Sequence, residues 1–234
     1  MADLWRRFLE ARGILGLHRA LTLAPRWALR RDYVAVVRDL AVPRFADASR
    51  SDLGDLHWTP LDAGGIRHLR AVNSSLSLGE IRRRLHEGQE CLLGWVGPTL
   101  VYYRWDTSEP AYLPFLGTVF SPTEGDTLVV EAFTLPAYRG RGIHQLASVR
   151  RLEAARVQGK ARSITFVASW HAPSLRVGLV KVSGRVAGTV TLWKLGPLRS
   201  LRVTGDVRLT AGRLSLAESR PAAADTSPSG RSGS

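Results

Sequence analysis

Arg139-Gly140-Arg141-Gly142-Ile143-His144 is the stretch whose residue types and spacing best suit chemistry in this 234-residue chain. It follows an apolar run over 126–135 that stops at Pro136, and it leads into a charged segment with helical spacing. The first turn of a helix has backbone N–H groups without internal partners, and aligned peptide dipoles place partial positive charge there. Glycine allows positive φ and lets main chain come close to a ligand. Arg139 and Arg141 add guanidinium donors for charge-assisted hydrogen bonds. This combination suits a phosphate, and a diphosphate is its natural occupant. Two other phosphate-binding patterns are excluded, because no lysine lies near and Gln145 stands where G-x-G-x-x-G needs its third glycine. The competing reading of these six residues alone is a glycine turn with solvated arginines.

Such a turn has to be positioned by a strand before it and a helix after it. Residues 126–135 read as the strand, and 142–159 as the helix, closed by Gly159. Around this unit, 63–72 and 77–88 read as helices, the second capped by Ser77 or Ser75 and stopped by Gly88. Residues 89–97 and 98–107 read as a hairpin, 111–120 as one strand interrupted by Pro114, and 162–169 as a strand. A second helix is expected over 172–182, and strands over 56–62, 185–196 and 199–212. Strands in succession, then strand–helix–strand–helix–strand, indicate a mixed α/β sheet over a main domain spanning 57–215.

Two segments stand apart from that domain. Residues 1–45 read as a basic amphipathic segment, one or two helices with Leu4, Phe8, Ile14, Leu15 and Leu21 among Arg6, Arg7, Arg12 and Arg19, followed by a valine-rich strand at 32–40. Residues 217–234 are small, polar and proline-containing, and read as a disordered tail.

Composition bounds the function classes. The formal net charge is +13, and of 33 basic residues only Lys160, Lys181 and Lys194 are lysine. That balance is compatible with nucleic acid, an anionic membrane surface, an anionic ligand or simply a solvated arginine-rich surface. No apolar run approaches the roughly 18–20 residues of a membrane span. The first residues lack the pattern of a secretory signal. Cys91 is the only cysteine, which excludes an intrachain disulfide framework and a thiolate cluster. A cytoplasmic protein is the expectation. His18, His57, His68 and His86 are scattered without ligand spacing, so no metal is expected.

"LPAYRGRGIH" resembles motif A of the GCN5-related N-acetyltransferase (GNAT) superfamily, in which R/Q-x-x-G-x-G/A follows a strand and opens a helix. Arg139, Gly142 and His144 take its three defining positions, with His144 in place of the usual Gly or Ala. "SWHAPSLRVGLVKVSGRVAGTVTL" is similar to a degenerate motif B: Ser174 and Lys181 fit, His171 replaces Asn, and Ser183-Gly184 replace Gly-Phe. With the helix and hairpin before motif A, the resemblance covers about residues 57–200.

The resemblance implies a GNAT-like fold and acyl transfer, chiefly acetyl from acetyl-CoA, to the amine of a small molecule or peptide, without metal. It implies that residues 139–144 hold the CoA diphosphate, and that backbone groups of Phe133, Thr134 and Leu135 contact pantetheine where the fourth strand splays from the fifth. Glu131, on the motif A strand among apolar neighbours, is then either a general base or a surface glutamate paired with an arginine. The motif B helix has no tyrosine, so the general acid falls to Ser174, His171 or water. Tyr102, Tyr103 and Trp105 alternate on a strand as core or as acceptor-facing rings. Two alternatives stand beside catalysis: a CoA-binding module without turnover, and docking of the basic N-terminal helices on anionic lipid or nucleic acid.

Overall fold

A computed structural model describes residues 30–41, 53–195 and 197–217. The helices expected before residue 30 and the tail after 217 lie outside the described residues. Strands β1 (Arg30–Asp39), β2 (Leu56–Pro60), β3 (Glu90–Val96), β4 (Thr99–Thr107), β7 (Asp126–Thr134), β8 (Arg162–Ala168), β9 (Arg185–Leu195) and β10 (Leu198–Val203) form an eight-stranded sheet in the order β10-β9-β1-β8-β7-β4-β3-β2. β7 and β8 are parallel, and the other pairs in this sheet are antiparallel. Helices α1 (Ala63–Val72) and α2 (Leu78–His86) connect β2 to β3, α3 (Ile143–Val157) connects β7 to β8, and the short α4 (Ala172–Arg176) runs into a π-helical turn, Val177–Lys181, before β9. A second, four-stranded sheet combines β5 (Ala111–Leu113), β6 (Thr118–Phe120), β11 (Val207–Thr210) and β12 (Arg213–Leu216) in the order β11-β12-β6-β5.

The local causes are those the sequence suggests. Asp62 caps α1 by accepting from the Gly65 N–H, and Ser77 caps α2 by accepting from the Glu80 N–H. Gly88 and Gly159 take positive φ just past α2 and α3. Three expectations change. The strand at 111–120 is two short strands paired as a hairpin, because Leu116 and Gly117 N–H groups both bond Leu113 O and fold the chain back, with Gly117 at φ +69°. Residues 213–216, not expected as a separate strand, pair with both β11 and β6. The valine-rich strand assigned to the N-terminal segment is β1, which sits inside the main sheet between β8 and β9, antiparallel to both. Its residues 35–38 are all buried, so both faces are covered, which explains the valine content.

Each face of the large sheet has its own core. Leu69 of α1, Ile81 of α2, Tyr103 and Trp105 of β4, and Phe120 and Leu214 of the small sheet share one cluster. On the opposite face Ile143 and Ala147 of α3 pack on Leu92, Val101 and Tyr102. Adjacent tyrosines of β4 therefore point to opposite sides, as the two-residue period of a strand demands.

Candidate active site

The site begins as a defect in the sheet. The β7–β8 ladder runs from the Asp126–Arg162 pair to the Val129–Thr165 pair and stops, although both strands continue. On its other side β7 pairs Val129 with Asp106 and Glu131 with Trp105, so Val130 is an extra residue, a bulge. β4 pulls β7 one way past the bulge, while β1 holds β8 through the Phe166–Ala35 and Ala168–Tyr33 pairs. The strands part, and a cavity of about 300 Å³ crosses the gap. Its walls include Glu131 and Ala132 from β7, Thr165 to Ala168 from β8, His144 and Ser148 from α3, and His171 and Ser174.

The bulge decides which backbone groups are free. The Leu135 N–H donates to Val101 O at 2.8 Å. By the alternation of an antiparallel ladder, the polar groups of Phe133 also turn toward β4, and those of Ala132 and Thr134 turn into the gap. The expectation that Phe133, Thr134 and Leu135 all present free groups is thus corrected to Thr134, joined by Ala132. The Thr134 carbonyl accepts from Arg139 Nε at 3.2 Å, which ties the turn to the end of β7.

The turn itself is open. Gly140 (φ +81°) and Gly142 (φ +75°) are both left-handed, and a Cβ at either would meet nothing within 4 Å. The glycines are therefore required for backbone conformation rather than packing. Among the described residues, the N–H groups of 140–145 find no backbone acceptor. Arg139 and Arg141 are exposed and lie over the Phe133 and Tyr138 rings at 5.8 Å and 5.5 Å. Two held guanidinium groups and a fan of unbonded amides at a helix start are a fit for a diphosphate.

His144 does not fill this cradle. Its ring points inward, partly buried, with Nδ1 3.1 Å from the Tyr102 hydroxyl. Arg104 lies beside the same hydroxyl. Loss of solvation, with Arg104 and His171 nearby, pulls the pKa of His144 down to about 4. The side chain is a neutral imidazole at the cavity wall. Behind it, Arg104 pairs with Asp106 at 2.7 Å, Asp106 accepts from Arg151 Nε at 2.9 Å, and Arg151 reaches Glu90 at 2.7 Å. Ser148 completes the set, its hydroxyl donating to His144 O at 2.8 Å.

Glu131 lies on the opposite face and shows the arginine-paired alternative. Its Oε1 accepts from the Tyr103 hydroxyl at 2.7 Å and from Asn73 Nδ2 at 3.3 Å, and its Oε2 from Arg84 Nη1 at 2.9 Å. The side chain keeps 31% of its exposure, whereas Arg84 keeps 6%. Phe133 stacks on Tyr103 at 5.5 Å. His171 caps α4, its Nδ1 accepting from the Ser174 N–H at 3.3 Å, and Ser174 lines the cavity beside it. The cavity thus gathers Glu131, His144, His171 and Ser174, while Thr134 lies farther along β7. Sequence reasoning missed Ala132, Arg104 and Asp106. A charged pair two residues apart on an otherwise apolar strand was the available signal for the last two. Among the described residues no group of three or more His, Cys, Asp or Glu stands together.

No family model matches the chain, and no curated protein matches it. Solved structures similar to it include AAC(6')-Iy in complex with the bisubstrate analogue CoA-S-monomethyl-acetylneamine, at 12% identity and TM-score 0.42 over 55% of this chain and 89% of that one. A protein assigned to the GNAT family, from Novosphingobium aromaticivorans, gives 15% identity and TM-score 0.49 over 69% and 62% of the two chains. The aminoglycoside 6'-N-acetyltransferase AAC(6')-Ih from Acinetobacter baumannii gives 14% and 0.42 over 55% and 89%. Overlaps of this size are partial, so the site rests on its own geometry. A mixed sheet with a bulged, splayed parallel pair, joined by a glycine turn that opens a helix, is the GNAT-like fold that the motif resemblance implies, and the described residues have it.

Proposed function

We propose that the protein is a CoA-dependent N-acyltransferase, chiefly an acetyltransferase, acting on an amine-bearing small molecule or peptide. The observation that carries this reading is the gap between β7 and β8, opening beside a cradle of unbonded amides at the start of α3. CoA supplies a thioester when bound. Residues 139–144 hold its diphosphate, and Ala132 and Thr134 offer backbone groups along the gap, where a preorganised N–H suits a developing oxyanion. The His144 imidazole borders the same gap and stays uncharged at neutral pH.

The acceptor approaches from the α1–α2 face, where Glu131 is the carboxylate at the mouth. It attracts the ammonium form and accepts its proton. The amine nitrogen then bonds to the acyl carbon and gives up a second proton as the carbon–sulfur bond breaks. Ser174, His171 or water passes that second proton to the departing thiolate.

One observation favours a second reading, binding without turnover: both oxygens of Glu131 already have partners. One pair of experiments separates the two. Acetyl-CoA should raise the melting temperature, and Arg139→Glu should remove that rise; no shift in either protein counts against CoA binding altogether. Protection by acetyl-CoA with no thiol release across a broad amine panel would select the module without turnover.

A further inference from the structure

The cavity has two chemically different ends. Toward α3 it is polar, bordered by His144, Ser148, His171 and Ser174. Toward the small sheet it is walled by Tyr33, Phe115, Phe166, Ala168 and Trp170. Tyr33 stands at the centre of that wall, its ring centroid 5.1 Å from Phe115 and 5.9 Å from Trp170. Its hydroxyl donates to Phe115 O at 3.3 Å, so the phenol's proton is used on the wall and the ring borders the space. Phe166 is held from behind by Phe120 at 5.3 Å, edge to face. A fixed set of rings of this kind is a preorganised apolar surface.

Charge points the same way. The lining contains one carboxylate, Glu131, already paired with Arg84; of its two guanidinium groups, Arg38 and Arg104, the second is paired with Asp106. A substrate bearing several ammonium groups needs several carboxylates, and this lining offers one, already engaged. An apolar cavity of about 150 Å³ is enough to take a benzene ring. The cavity here, both ends together, is about 300 Å³.

We propose that the recess formed by Tyr33, Phe115, Phe166, Ala168 and Trp170 takes an uncharged, flat apolar group the size of one aromatic ring, and that the site rejects polycationic acceptors. The assignment of that group to a substrate rests on the acyl-transfer reading; the recess itself does not. The group arrives either on the acceptor amine or as the acyl chain.

Two calorimetric titrations of the full chain distinguish these sources. One compares 2-phenylethylamine, propylamine and spermidine, without CoA. The other compares phenylacetyl-CoA with acetyl-CoA. In one arm the aromatic ligand should bind about tenfold or more tightly than its aliphatic counterpart, a preference of about 1.4 kcal/mol, and spermidine should not bind measurably. Ala168→Leu fills the recess from β8 and should erase the preference; should that variant fail to fold, Ala168→Val is the smaller fill. Equal affinities in both arms, tight spermidine binding, or a preference that survives the fill overturns the proposal. Ala168-dependent binding of phenylethylamine in a protein that binds neither CoA ester would sink the acyl-transfer reading and leave the recess standing.

Discussion

The two faces of the sheet at β4 carry two charge networks built from the same parts and held in opposite ways. On the α3 face, Arg104 and Asp106 each keep 4% of their exposure. Tyr102, Arg151 and Ser148 surround that pair. On the α1–α2 face, Arg84 is equally buried, but its partner Glu131 keeps 31% and opens on the gap. Water cannot replace a lost partner in the first network, and in the second it can. The first is therefore suited to holding His144 and Tyr102 in one arrangement, and the second to exchanging a proton or a partner. A charge that must react has to be reachable; a charge that must position can be sealed.

Breaking the sealed pair should have the largest effect. Asp106→Ala leaves Arg104 buried without its counter-charge and should cost about 3–5 kcal/mol, a melting point roughly 6–20 °C lower for a chain of this size. A loss below about 1 kcal/mol would mean that water reaches Arg104 and that the contrast between the faces is wrong.

Acid should act next, through His144. The folded-state pKa of about 4 lies below the ordinary 6.5. As pH falls through 6.5 the unfolded chain gains a proton that the folded protein refuses until about pH 4. Stability from this residue is complete above pH 6.5 and declines between 6.5 and 4, by at most about 3 kcal/mol. Denaturant unfolding of wild type and His144→Gln across that window checks the sign: the variant should show the shallower slope.

Glu131→Gln tests the open network. Its stability should change by about 1 kcal/mol or less, while kcat for acyl transfer should fall by about a hundredfold or more if the carboxylate takes the amine proton. A stability loss as large as that of Asp106→Ala, with kcat preserved, would reverse the two roles. The smallest effect is expected at Arg83. It is 42% exposed and bridges Glu80 and Glu87 along α2. Arg83→Ala should cost less than about 1 kcal/mol, measured by thermal unfolding, although its neighbour Arg84 is deeply buried.

Much of this arrangement was legible before the fold was known, where the cause was local. Ser77 capping α2 and Gly88 and Gly159 ending helices follow from backbone needs within a few residues. The same holds for the turn at 139–144, whose glycines have positive φ and whose flanking strand and helix follow from sequence pattern. What was not legible depended on distant partners. Pro114 suggested an interruption, but only the pairing of β6 with β12 placed the hairpin of 111–120 in a second sheet. The strand at 32–40 gave no sign that it would lie between two strands more than a hundred residues downstream.

The site divides along the same line. Chain order alone determined that Arg139 and Arg141 would flank two glycines at a helix start, because those groups are neighbours along the backbone. Only the tertiary structure decided that Val130 bulges, that Thr134 and Ala132 rather than Phe133 and Leu135 face the gap, and that Glu131 is bound by Arg84. It also turned His144 toward Tyr102 instead of into the phosphate cradle. Hydrogen-bond register and burial arise between segments far apart in the chain, and no short stretch of residues contains them.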